Sequence, residues 1–157
     1  MYEDLENLAN LKIAKAIEVL AQQNSERISD LIQNHAKRGI SQSGIAERAK
    51  LRSQLQMASE LCEAIHRIWV DLILTKDKAL TEESVAFIGG KVQEAAINKA
   101  SAIRHTLGSN LSHAGRQELE READTHITGI VARVHRDLEI MRREQALISH
   151  VIGRAHV

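Results

Sequence analysis

Apolar residues recur along this chain at steps of three and four, the spacing of one face of an α-helix, and they do so in four long blocks. The pattern predicts helices over residues 3–37, 42–77, 82–107 and 113–150. In the first, Ile13, Ile17, Leu20, Ile28 and Leu31 form one stripe, interrupted by Asn24. Asn24 reads as a polar group that fixes helix register, so that replacing it by leucine should raise the melting temperature at the expense of specificity. The alternative is that Asn24-Ser25 caps a new helix and splits the first one. Lys37 and Arg38 suit the negative end of the helix dipole, and Gly39 supplies a left-handed C-terminal cap.

The second block has the most regular stripe. Leu51, Leu55, Ala58, Cys62, Ile65, Trp69 and Leu72 alternate steps of four and three, which is heptad spacing. Ser41 is its expected N-cap, with Ile40 and Ile45 placed as a hydrophobic staple. Thr81 should cap the third helix, whose stripe is Val85, Ile88, Val92, Ala96, Ile103 and Leu107. Gly89 and Gly90 lie inside it and cost about 1 kcal/mol each relative to alanine. Such glycines point to close approach of a neighbouring helix, or else to a hinge. Ser112 should cap the fourth helix, which carries Leu119, Ala123, Ile127, Ile130, Val134, Leu138, Met141, Ile148 and Ile152, with a mean spacing from Leu119 to Met141 nearer 11/3 than 7/2. From Gly153 the chain should fray.

Composition sharpens this into a fold class. Average usage of about 5% would give roughly eight prolines in such a chain, and there are none among its 157 residues. Proline is the residue that cannot donate to a helix ladder, so its absence fits helix nearly throughout. Tyr2, Trp69 and Phe87 are the only aromatics. The expectation is a single all-α domain, residues 1–157, folded as an antiparallel up-down-up-down four-helix bundle with helices about 40–55 Å long.

Charge and cysteine content narrow the function classes. There are 21 basic and 21 acidic residues, and each predicted helix is close to balance. No helix offers the phosphate-neutralising surface that nucleic acid requires, and too few aromatics exist to stack bases. Cys62 is the sole cysteine and cannot form an internal disulfide. The longest apolar run, residues 68–75, falls far short of a membrane span and contains Asp71. The opening Met-Tyr-Glu-Asp does not resemble a secretion signal, so the expected location is cytoplasmic.

A weak internal repeat is visible. Ile40-Ser41-Gln42-Ser43-Gly44 resembles Leu111-Ser112-His113-Ala114-Gly115, and Ile65-His66-Arg67 resembles Val134-His135-Arg136, at offsets of 71 and 69. Two related helical hairpins would account for it, although any two amphipathic helices look alike.

Eight histidines invite a search for a metal site. Ferritin-like bundles hold two metals with a Glu on each of two helices and Glu-x-x-His on each of the other two. Here Glu63-Ala64-Ile65-His66 supplies one such motif, with Glu18 roughly level on the first helix and His135 on the fourth. Ala132 stands where the second motif needs a carboxylate, so half of the ligand set is missing. Glu18, Glu63, His66 and His135 therefore define an alternative reading, with iron, manganese or zinc as the ion, against a solvated helix flank with ordinary i,i+3 contacts. Glu122 and His126 form an i,i+4 pair that could bind a metal at a subunit contact, more simply read as a surface hydrogen bond. Cys62 falls in the heptad core and reads as a small hydrophobe.

The leading expectation is a non-enzymatic interaction or assembly module that forms homo-oligomers or binds a protein partner, with no cofactor. A helical coat on an apolar particle is a weaker third reading, disfavoured by the neutral polar faces. The expected interface gathers Leu5, Leu8, Leu11 and Val19 from the first helix, Val70 and Ile73 from the second, and Met141, Leu147, Ile148 and Ile152 from the fourth. In the expected register Glu82 lies opposite Leu138, which leaves the end of the fourth helix overhanging by about 20 Å. It is either covered by another chain or folded back along the first helix.

Overall fold

The computed structural model describes residues 1–39, 44–108 and 111–155. Four α-helices make up nearly all of them: α1 Glu3–Lys37, α2 Gly44–Asp77, α3 Glu82–Thr106 and α4 His113–Ala155. The protein is an all-α four-helix bundle. The expected Ser41 cap, the Ile40 staple and most of the first copy of the repeat lie outside the described residues.

Local chemistry explains where these helices begin and end. α1 runs unbroken through Asn24-Ser25. At its end Gly39 takes φ +71°, and its N–H donates to the Ala36 carbonyl at 3.1 Å. Thr81 caps α3 reciprocally. Its Oγ1 accepts from the Ser84 N–H at 3.1 Å while Ser84 Oγ accepts from the Thr81 N–H at 2.7 Å. Ser112 caps α4 by accepting from the Gly115 N–H at 3.0 Å. α4 continues past the expected stop at Gly153 to Ala155. Among the described glycines only Gly39 has the positive φ of a helix-ending cap.

Interhelix pairs fix the directions. Lys76 meets Asp4 at 2.9 Å and Leu80 N–H meets Gln145 Oε1 at 2.8 Å, so successive helices are antiparallel. α2 and α4 are parallel, with Arg48–Glu118 at 2.8 Å, Arg52–Glu122 at 3.3 Å and Arg133–Glu63 at 3.1 Å, each pair 70 residues apart. The tripeptides Ile65-His66-Arg67 and Val134-His135-Arg136, offset by 69 residues, thus run side by side. α1 and α3 are parallel through Tyr2–Phe87 and Glu6–Lys91. The result is up-down-up-down.

The four helices do not share the core equally. α2 packs against each of the other three, and α3 packs against α4, whereas the backbone of α1 comes close to α2 alone. Every residue of the heptad stripe on α2 is buried. On α1 only Ala9 and His35 are buried. Its expected stripe is half-covered: Ile13 and Leu20 are partly buried against the core, and Ile17 is exposed. α1 therefore lies as a ridge along a three-helix core.

The two glycines of α3 differ. A Cβ on Gly89 would stand 2.7 Å from His135 Nε2 of α4, whereas nothing lies within 4 Å of one on Gly90. Gly89 permits the close approach expected from sequence, and Gly90 does not serve that purpose.

Candidate functional site

One end of the bundle collects the start of α1, the end of α2, the start of α3 and the outward passage of α4. Tyr2, Phe87 and Trp69 seal it from inside as a ladder of edge-to-face rings, with centroids 4.9 Å apart at both steps. Burial and the nearby Asp77 carboxylate raise the pKa of the Tyr2 phenol above its ordinary value. Outside the rings, Lys76 binds Asp4 and Lys91 binds Glu6.

α4 leaves the bundle at this end. Leu138 is fully buried and Met141 packs partly on the core. Gln145 then accepts the Leu80 N–H, the last bond from α4 to another segment among the described residues. From there to Ala155 the helix projects by about 15 Å at 1.5 Å per residue. The shorter projection reflects register. Gly89 meets His135 and Leu80 meets Gln145, so Glu82 faces the neighbourhood of Arg142, not Leu138. The backbone of α4 comes near α2 and α3 and does not fold back along α1.

Leu147, Ile148, Val151 and Ile152 are 65%, 58%, 58% and 53% exposed. Their spacing of one, three and one places them on a single stripe of the helix, which Ile140, also exposed, extends inward. Ile140 was not among the expected interface residues, although its seven-residue step to Leu147 is a readable signal. On α1, Leu8, Leu11 and Val19 are exposed, while Leu5 is half-buried against the core. Val70 and Ile73 are buried inside the chain, Ile73 completely, and offer no surface to a partner. They are apolar because α2 is surrounded at this level.

The histidine and carboxylate candidates are dispersed. Glu63 binds Arg133, and His66 sits in an open groove with Asp71, Arg133 and Asp137. Desolvation lowers the His66 pKa, opposed by Asp137. His135 is turned to the other flank of α4, over Gly89. Glu18 is exposed on α1. The Glu122 carboxylate is held by Arg52 and Arg48. Among the described residues no three His, Cys, Asp or Glu side chains converge on a point that a metal ion would occupy. Sequence reading did not anticipate that arginines would engage these carboxylates. Pairing between α2 and α4 becomes visible only once their parallel alignment is known.

Cys62 is fully buried, and burial pushes its thiol up to about 11, far from the thiolate character a nucleophile needs. No helix among the described residues is long and apolar enough to cross a membrane. Comparison with protein-family models, curated proteins and solved structures finds no match to this chain.

Proposed function

We propose that this chain is a non-enzymatic, cytoplasmic assembly module that associates with copies of itself through the end of the bundle from which α4 projects. The observation that carries this reading is the row of four large apolar side chains on a helix end with no neighbouring element. A helical segment of about ten residues gains little stability by itself in water. Burying each such side chain fully is worth about 1.5–3 kcal/mol. An apolar helix face without an internal partner is therefore stabilised by another chain, and symmetric self-pairing is the commonest solution. The dispersed carboxylates and histidines and the unreactive cysteine support the non-enzymatic part.

Light scattering at micromolar concentration tests the proposal on two chains, the full sequence and a version ending at Ala146. The shorter chain keeps Gln145 and its bond to Leu80. The full chain should be a dimer or larger, and the shorter one a monomer with a similar unfolding temperature. A monomeric full chain, or a shortened chain that still associates, overturns the reading.

A further inference from the structure

We infer that the groove between α1 and α2 is a docking site for an acidic amphipathic helix of a different protein, separate from the surface through which copies of this chain associate.

The groove is lined by α1 and α2 alone, and small residues create it. The antiparallel pairing that sets Asp4 beside Lys76 brings Ala16 and Ala64 to one level, where two methyl groups leave space that longer side chains would fill. Leu20 and Ile68, half-buried against the core, continue the floor toward either end. Val19, 48% exposed, forms a wall. From Lys12 to Leu20 the groove runs about 12 Å, so apolar side chains at i, i+4 and i+7 of a partner helix, spread over about 10 Å, match its length. Its floor begins about 20 Å from the start of α1, clear of the projecting arm of α4.

Charge selects the occupant. The ionisable side chains along the groove are Lys12, Lys15, Glu60, Glu63 and Arg67. Both acids are engaged from within the chain, Glu60 by Arg27 at 3.6 Å and Glu63 by Arg133 at 3.1 Å. The side chains of the three cations make no hydrogen bond or ion pair among the described residues. Glu18 neither pairs with Lys15 nor lines the groove. Unengaged positive charge therefore flanks the floor on both sides, from Lys12 and Lys15 on α1 and from Arg67 on α2. A helix whose apolar face is bordered by carboxylates complements it, and a basic helix is repelled. In such a contact the charges set partner choice and encounter rate more than affinity. The arm of a second copy has the wrong sign, since residues 146–155 carry Arg154 and no acid.

Fluorescence anisotropy of the full chain with a lactam-stapled helical peptide of about 16 residues tests the site; the peptide carries leucine at i, i+4 and i+7 and glutamate on both flanks. The chain should bind this peptide, and bind its counterpart with lysine for glutamate about tenfold more weakly or worse. Lys12→Glu/Lys15→Glu, at two exposed positions, should reverse that preference. Ala16→Gln/Ala64→Gln covers the floor with longer polar side chains of good helix propensity, and should weaken the glutamate peptide about tenfold although all three cations remain. Circular dichroism verifies that each variant keeps the fold. Equal binding of the two peptides overturns the proposal, as does binding that survives the covered floor, or no binding at millimolar peptide. Light scattering adds one more outcome: if covering the floor dissociates an associating chain, a second copy occupies the groove and the separate partner is ruled out. A parent chain that is monomeric yet binds the glutamate peptide in this groove removes the self-association reading and leaves the docking site standing.

Discussion

Ser53 Oγ donates to Asn24 Oδ1 at 3.0 Å across the interface of α1 and α2. Ser53 is only 4% exposed, so this bond lies where water does not readily replace it. The polar break in the α1 stripe is thus half of a matched pair, which ties one level of α1 to one level of α2.

The pair reverses the sign of the change expected from sequence. Asn24→Leu removes the acceptor and leaves the Ser53 hydroxyl buried without its cross-helix partner. An orphaned group of this kind costs about 1–3 kcal/mol. A serine in a helix can partly recover by bonding to its own backbone four residues earlier, so the low end applies. Urea unfolding should show Asn24→Leu destabilised by about 1 kcal/mol and the double variant Asn24→Leu/Ser53→Ala restored to the parent or above. A single variant more stable than the parent would show that the bond contributes nothing.

The two glycines of α3 should respond differently to alanine. Gly90→Ala meets open space and should gain about 1 kcal/mol from helix propensity. Gly89→Ala places its Cβ 2.7 Å from the His135 ring, which must swing away into solvent. The propensity gain and the lost contact should nearly cancel. Adding His135→Ala frees the space, and the gain should reappear as a coupling of about 0.5–1 kcal/mol in a double-mutant cycle. Additive effects at 89 and 135 would rule the contact out as an energetic one.

Glu139 makes acid a probe of the root of the arm. Hydrogen bonds from Arg142 and then Arg143 pull its carboxyl from the ordinary 4.5 down to about 2. The folded state therefore holds this proton more weakly than the unfolded chain does. The contribution of Glu139 is complete above about pH 4.5 and is lost as pH falls through about 2. Chemical unfolding of the parent and of Glu139→Gln, compared at pH 5, 3.5 and 2.5, should show a gap that narrows with acid and shrinks in high salt. A gap that holds constant to pH 2.5 would mean that the carboxylate is not paired in solution. Arg143 is exposed and the Glu139–Arg142 pair is only half-buried, so the gap should be small at every pH.

The helices themselves were legible in the residues because helix formation is local. Spacing at three and four marked the stripes, and every position of the α2 stripe is buried. Thr81, Ser112 and Gly39 marked ends through bonds to neighbours three or four residues away. The projecting apolar end of α4 was legible too, since it follows from helix lengths about a turn. Its extent was not, because the observed pairing of Gly89 with His135 and of Leu80 with Gln145 is displaced by several residues from the register that a turn at Gly108 predicts.

What the sequence determined by itself is which face of each helix prefers burial. It did not determine which helix covers that face. Any apolar stripe satisfies any other of similar length, so the choice falls to turn geometry and to how many neighbours fit around one helix. Val70 and Ile73 show the consequence. An all-round apolar stretch on α2 looked like a surface for another chain, and the tertiary structure surrounds it instead with the chain's own helices. His66 and His135 show it again. Side-by-side packing of α2 and α4 places their tripeptides together, yet rotation about each helix axis sends one ring into a groove and the other across Gly89. Axial rotation is set by packing against several neighbours at once, and no local run of residues encodes it.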